Sequence, residues 1–168
     1  MRLALLTAVA LTGPGAATAR AEPQPLWAGE VRLGGGVSLS SAQGQMGMRR
    51  SPLTIAATAA IAVQDVPPLA VVGGLYIETL DRTAACVTAA LRLTPGSHMR
   101  LAIGTTVLVA PYTLYGATGS VGACLRASTG LAFCGDLEFT TFIAGSDLAE
   151  DHAVTQVQLV GGVRFDAP

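Results

Sequence analysis

The residues best equipped for chemistry are few and scattered. Ser146, Glu150, Asp151 and His152 bring an alcohol, two carboxylates and an imidazole into one short stretch, the residue types that nucleophilic hydrolysis of an ester requires. Their order and spacing match no catalytic motif, and a loop rich in Ser, Asp and Glu is ordinarily solvated surface. The reading is therefore that the chain carries no catalytic residues, with a lipid-modifying hydrolase using His152 as the alternative. The other histidine, His98, stands two residues before Arg100 and is expected on an inner face as a hydrogen-bonded residue. The three cysteines and two histidines form no ligand spacing, so no metal is expected. Gly34-Gly35-Gly36 lies within a strand-like pattern, not in a phosphate loop, and no cofactor is expected either.

Cys124 and Cys134 flank a turn centred on Thr129, which places them opposite each other on adjacent strands with both side chains on the same face. In an oxidising compartment a cross-strand disulfide follows; two buried thiols are the alternative. Cys86 falls opposite Glu78 with no identifiable partner and no neighbouring histidine to activate it, so it reads as a small buried residue.

Charge narrows the functional classes further. The net charge is -1, every basic residue is Arg, and Arg49-Arg50 is the only adjacent pair, which argues against nucleic acid as a partner. Hydrophobic residues make up 51% of the chain and charged ones 12%, against about 25% charged in an average soluble domain. An ordinary water-facing surface is hard to build from such a composition. The uncharged stretch Leu101 to Leu125 is not read as a membrane helix, because it contains Pro111, several glycines and many β-branched residues.

The amino-terminal residues read as an export signal: Arg2, an apolar run from Leu3 to Leu11, Gly13-Pro14, and the small-x-small sequence Ala19-Arg20-Ala21. The expected organisation is a cleaved signal at 1–21, a short segment at 22–28 and one β-domain at 29–166. Eight alternating segments, near 29–40, 52–64, 68–80, 84–94, 98–110, 116–127, 131–144 and 153–166, are each longer than the usual soluble strand. Short turns fall near 65–67, 81–83, 95–97 and 128–130, and longer loops at 41–51, 111–115 and 145–152.

Side-chain phase then assigns the faces. In each segment the large apolar residues occupy odd numbers, as in Leu53, Ile55, Ile61 and Val63 or Leu101, Ile103, Val107 and Val109. The even face carries Glu30, Arg32, Glu78, Arg92, Arg100, Arg126, Asp136, Glu138 and Arg164, with Gln156, Gln158 and several threonines beside them. A polar face mixing both signs of charge with Gly and Ala suits a narrow interior in which Arg pairs with Glu and Asp, filling the lumen. The fold class expected is all-β: an eight-stranded antiparallel transmembrane β-barrel with a polar interior, short periplasmic turns and longer outer loops. A soluble secreted β-barrel binding protein is the alternative, and it would turn the apolar face inward.

Over residues 29–166 this pattern resembles the small eight-stranded outer-membrane barrels typified by the OmpA membrane domain and OmpX. The resemblance is one of pattern and not of motif. It implies a bacterial outer-membrane location, outer-membrane lipid and the barrel-insertion machinery as partners, and a monomer with a structural or surface-contact role. The terminal strand of such barrels usually ends on an aromatic residue; here Phe165 is followed by Asp166-Ala167-Pro168. Aromatic residues total only 5%, with Trp27, Phe133 and Phe165 available for a periplasmic girdle and Tyr112 and Tyr115 for an outer one.

Overall fold

The structure, a computed structural model, describes residues 26–42, 45–63, 68–79, 83–96, 98–146, 148–150 and 152–167. The expected export signal and the turn centres at 65–67 and 81–82 lie outside these residues. Eight strands follow one another: β1 (Trp27–Ala42), β2 (Gln45–Ala62), β3 (Leu69–Thr79), β4 (Thr83–Leu93), β5 (Met99–Ala110), β6 (Leu114–Ser128), β7 (Leu131–Gly145) and β8 (Ala153–Ala167). Each pairs antiparallel with its sequence neighbour, and β8 returns to pair with β1, closing the barrel. Closure satisfies the backbone donors and acceptors that an open sheet would leave on its edges.

All eight ladders match odd residues with odd ones through the barrel body. Val31 pairs with Ala57 on one side and Val163 on the other, Ile77 with Ile55 and Ala85, and Leu137 with Val121 and Leu159. Because successive side chains in a strand point to opposite faces, this register keeps the odd set outside all the way round. Among the described residues every exposed large hydrophobic residue is odd except Leu26 and Met48. Met48 has a local cause: between the pairs Gly34↔Thr54 and Gly36↔Ser51 the β2 strand carries one extra residue, and its phase reverses beyond that bulge. Pro52 stands there, where a missing N–H costs no regular ladder bond.

One expected loop is absent. Residues 41–51 are not a connection, because β1 runs to Ala42 and β2 begins at Gln45, with Ser38↔Arg49 and Ala42↔Gln45 in register. The Ser- and Gly-rich composition there suggested a loop, yet ladder pairing uses the backbone alone and continues past the apolar alternation. Of the other far-end connections, 111–113 and 146–152 are slightly shorter than expected because β6 starts at Leu114 and β7 ends at Gly145.

The interior also departs from a purely polar lumen. Towards the end opposite the termini, Tyr76, Ala84, Cys86, Leu108, Leu114 and Phe142 form a buried apolar cluster, with Tyr112, Leu148 and Val154 packed against it. All of its buried members are even-numbered, so the inner face changes from polar to apolar along the barrel axis. Tyr112 therefore belongs to this plug and not to an outer aromatic girdle, whereas Tyr115 is exposed on the outside. A smaller cluster of Ala28, Ala60 and Val72 lies towards the end that carries the termini.

Phe142 is 1% exposed and Ile143, the next residue, is 68% exposed on the outer face. Replacing a well-packed buried Phe by Ala costs about 3–5 kcal/mol. Denaturant titration of the folded protein is expected to show a loss of that size for Phe142→Ala and a clearly smaller one for Ile143→Ala; equal losses would contradict the plug.

Candidate functional site

The candidate site is the lumen itself, built by inward positions of strands that face one another. Glu30 and Arg32 come from β1, Arg92 from β4, Arg100 from β5, and Asp136 and Glu138 from β7. Arg92 Nη1 donates to Glu30 Oε1 at 2.6 Å, and Arg100 Nη1 donates to the same carboxylate at 3.0 and 3.1 Å. Arg100 also forms a two-pronged contact with Asp136, through Nε to Oδ1 at 2.6 Å and through Nη2 to Oδ2. Arg32 Nη2 completes the chain, donating to Asp136 Oδ2 at 3.0 Å and Glu138 Oε2 at 2.8 Å. Three guanidinium groups and three carboxylates thus alternate across the lumen in a balanced line, which is how buried charge is tolerated in a low-dielectric interior.

A glycine makes the central contact possible. Gly122 on β6 is the register partner of both Arg100 on β5 and Asp136 on β7, so those side chains meet above the strand that separates them. A Cβ at Gly122 would collide with the Asp136 carboxylate and with the Gly135 carbonyl.

The nine charged residues expected as one inner set fall into three groups. Six form the line above. Arg126 and Arg164 instead share Asp166 at the end carrying the termini, at 3.4 and 2.6 Å, and the Arg126 side chain is 39% exposed. Glu78 is buried near the plug, where Gln156 Nε2 donates to its Oε2 at 3.3 Å, away from the six. Asp166 was missed because it lies beyond the last apolar residue of its segment; its even number was the available signal. Two further inner contacts, Thr54 to Gln158 at 3.0 Å and Tyr76 to Thr106 at 2.5 Å, join uncharged even positions.

Cys124 and Cys134 are direct register partners on β6 and β7, 4.1 Å apart at Cα, and are joined by a disulfide. Cys86 is a buried thiol within the plug. Its cross-strand partner is Tyr76, and Glu78 pairs with Ala84, because the β3–β4 hairpin turns one residue earlier than the composition suggested. His98 is exposed in the turn before β5, not on the inner face; its carbonyl accepts from Cys124 N at 2.8 Å. Ser146 and His152 have separate partners: Ser146 Oγ accepts from Thr113 N at 3.2 Å, and the His152 ring donates through Nδ1 to the Glu150 carbonyl at 3.0 Å. No hydrogen bond joins Ser146 to His152 among the described residues. No group of three or more His, Cys, Asp or Glu side chains converges on a metal position among the described residues.

Removing one partner of a buried ion pair costs about 3–5 kcal/mol, whereas an exposed pair is worth about 0–1 kcal/mol. Arg100→Leu, which breaks the link between Glu30 and Asp136 and leaves three buried carboxylates facing two guanidinium groups, is therefore expected to fall in the first range and Arg126→Gln in the second, both read by equilibrium unfolding. Similar effects from the two would show that the central line does not act as the lumen's structural tie.

No protein-family profile matches the chain. No curated protein matches it either. Among solved structures, Neisserial surface protein A (NspA) superposes with a TM-score of 0.59 at 9% identity, over 86% of this chain and 99% of that one. Ail, the attachment invasion locus protein of Yersinia pestis, gives 0.48 at 12% identity over 85% and 100% of the two chains, and a de novo designed transmembrane β-barrel gives 0.49 at 13% over 87% and 99%. At such identities the likeness concerns fold alone, and what it establishes is that this chain has the architecture of a small closed eight-stranded antiparallel barrel.

Proposed function

We propose that this protein is a non-enzymatic bacterial outer-membrane barrel, inserted as a monomer with lipid around it, whose role is structural or one of contact at the cell surface. The observation that carries the reading is the outer face. Large apolar side chains such as Leu33, Ile61, Leu75, Ile103, Leu125, Phe139 and Leu159 are half exposed or nearly so, and the charges of the described strand cores lie on inward positions. A water-soluble barrel has the opposite arrangement. In water this surface would far exceed the few hundred Å² of contiguous apolar patch that a soluble monomer tolerates; in a bilayer it is the ordinary exterior of a spanning barrel.

Orientation follows from the ends. Trp27, Phe133 and Phe165 are exposed at the end carrying the termini and suit a periplasmic interface, with Phe165 on the closing strand where insertion machinery would engage it. The tip of the β1–β2 hairpin, 111–113 and 146–152 then face outwards. These connections are short, which favours an envelope role over a large binding surface. The lumen supports the same reading: it is crossed by the ion-pair line and filled by the apolar plug, so a filled barrel fits better than an open pore.

Leu75 lies at the middle of β3 and is 64% exposed. A lipid-facing Arg at the bilayer midplane costs about 2–4 kcal/mol, so Leu75→Arg is expected to lose that much in vesicle-based unfolding; a change within about 0.5 kcal/mol, usual for a water-facing site, would contradict the proposal. For the role itself, cells lacking the gene are expected to become sensitive to detergent, and a variant with Ala149 and Glu150 replaced by Gly and Ser should restore resistance. Loss of attachment with intact resistance would instead favour a contact role.

A further inference from the structure

Among the described residues three buried inner polar atoms have no hydrogen-bond partner, Arg32 Nε, Thr58 Oγ1 and Glu78 Oε1, and the first two are neighbours. They belong to neighbouring strands, and because Glu30 is the register partner of Thr58, Arg32 is its diagonal neighbour on the same inner face. Thr58 is only 8% exposed. A buried polar group left unpaired loses its hydration without compensation, which raises the question of what meets it.

Both residues line the same two cavities. One of about 40 Å³ is bounded by the Arg92 and Arg100 side chains, and one of about 20 Å³ extends to Tyr76 and Gln158; Arg32, Thr58, Thr88 and Glu138 border both. A glycine opens this recess. Gly74 is the register partner of Thr58 and Thr88, and a Cβ on it would stand 2.7 Å from the Thr58 methyl and 3.0 Å from the Thr88 methyl. The recess thus has mainly apolar walls into which polar groups are set, two of them unmatched, and a boundary of ion pairs on one side and plug residues on the other.

We infer that this recess is a binding site for a short chain of internal water molecules, in which one water bridges Arg32 Nε–H and the Thr58 hydroxyl. The volume suits it, since a water needs roughly 10–15 Å³ of such space and two to four polar partners. Water also suits the chemistry better than an anion: Arg32 is already matched by Asp136 and Glu138, and the Glu138 carboxylate borders both cavities. The site holds the Arg32 fork from its unpaired side, so it extends the ion-pair line by uncharged links towards Thr58 and Thr88.

The test is water-selective NOE and ROE spectroscopy of the ¹⁵N-labelled, folded full-length protein in micelles, where the ROE sign separates a bound water from proton exchange. Arg32 Nε–H is expected to show a dipolar cross-peak to slowly exchanging water, identical in chloride buffer and in chloride-free sulfate buffer. Thr58→Val should weaken it by about two- to tenfold, the occupancy that one lost hydrogen bond costs, and Thr58→Ser should restore it. Absence of the cross-peak in the wild-type protein would overturn the inference, and that arm needs no variant to fold. An Arg32 Nε resonance that titrates with chloride would replace water by a halide, and a cross-peak indifferent to Thr58→Val would remove Thr58 from the site.

Discussion

A strand has two faces that alternate with every residue, and a closed barrel must keep that alternation in phase around its whole circumference. A single ladder pairing odd with even would carry apolar residues inside and charges outside on every later strand. Here each ladder holds odd to odd through the barrel body, including the closing pair of β1 with β8, where Val31 meets Val163 and Leu33 meets Gly161. The other features hang on this. The outer belt is apolar because the odd set is apolar, and the inner charges meet because the even sets of distant strands converge. The bulge at Pro52 is tolerated because the reversed phase it starts affects only the projecting end of the β1–β2 hairpin.

Inside, the geometry is set by the cost of burying charge. Arg32, Arg92 and Arg100 are matched by Glu30, Asp136 and Glu138 along one line, each link at hydrogen-bond distance. A line of this kind ties strands that are far apart in the ladder order, and it needs small residues where side chains must pass over an intervening strand. Gly122 has that position between Arg100 and Asp136. Towards the other end the inner face becomes apolar, with Phe142 and Leu108 packing where further charge pairs would otherwise have to be matched. The lumen is therefore filled by two kinds of matter in series, a polar tie and an apolar plug.

Much of this was legible in the sequence because alternation is a local signal. The eight segments and their common phase required only the position of each Leu, Ile, Val and Phe. The juxtaposition of Cys124 and Cys134 followed from a short turn of readable chemistry. What was hidden depends on offsets between strands. Nine even charges do not reveal which reach one another: Arg126 and Arg164 are set towards the end with the termini, and Glu78 towards the plug. The plug was overlooked because Tyr76, Leu108 and Phe142 are isolated apolar residues in a mainly polar phase, and only the closed register gathers them. The projecting hairpin was read as a loop because backbone pairing there leaves no apolar periodicity behind.

The central claim is an inside-out barrel that lipid surrounds. It is tested most directly by the electrophoretic mobility of the protein in membrane fractions, with and without boiling in SDS. The account predicts a protein confined to the outer-membrane fraction whose unheated form resists SDS and migrates apart from the boiled form. A protein recovered from the periplasm or culture fluid without detergent, with the same mobility before and after heating, would contradict it.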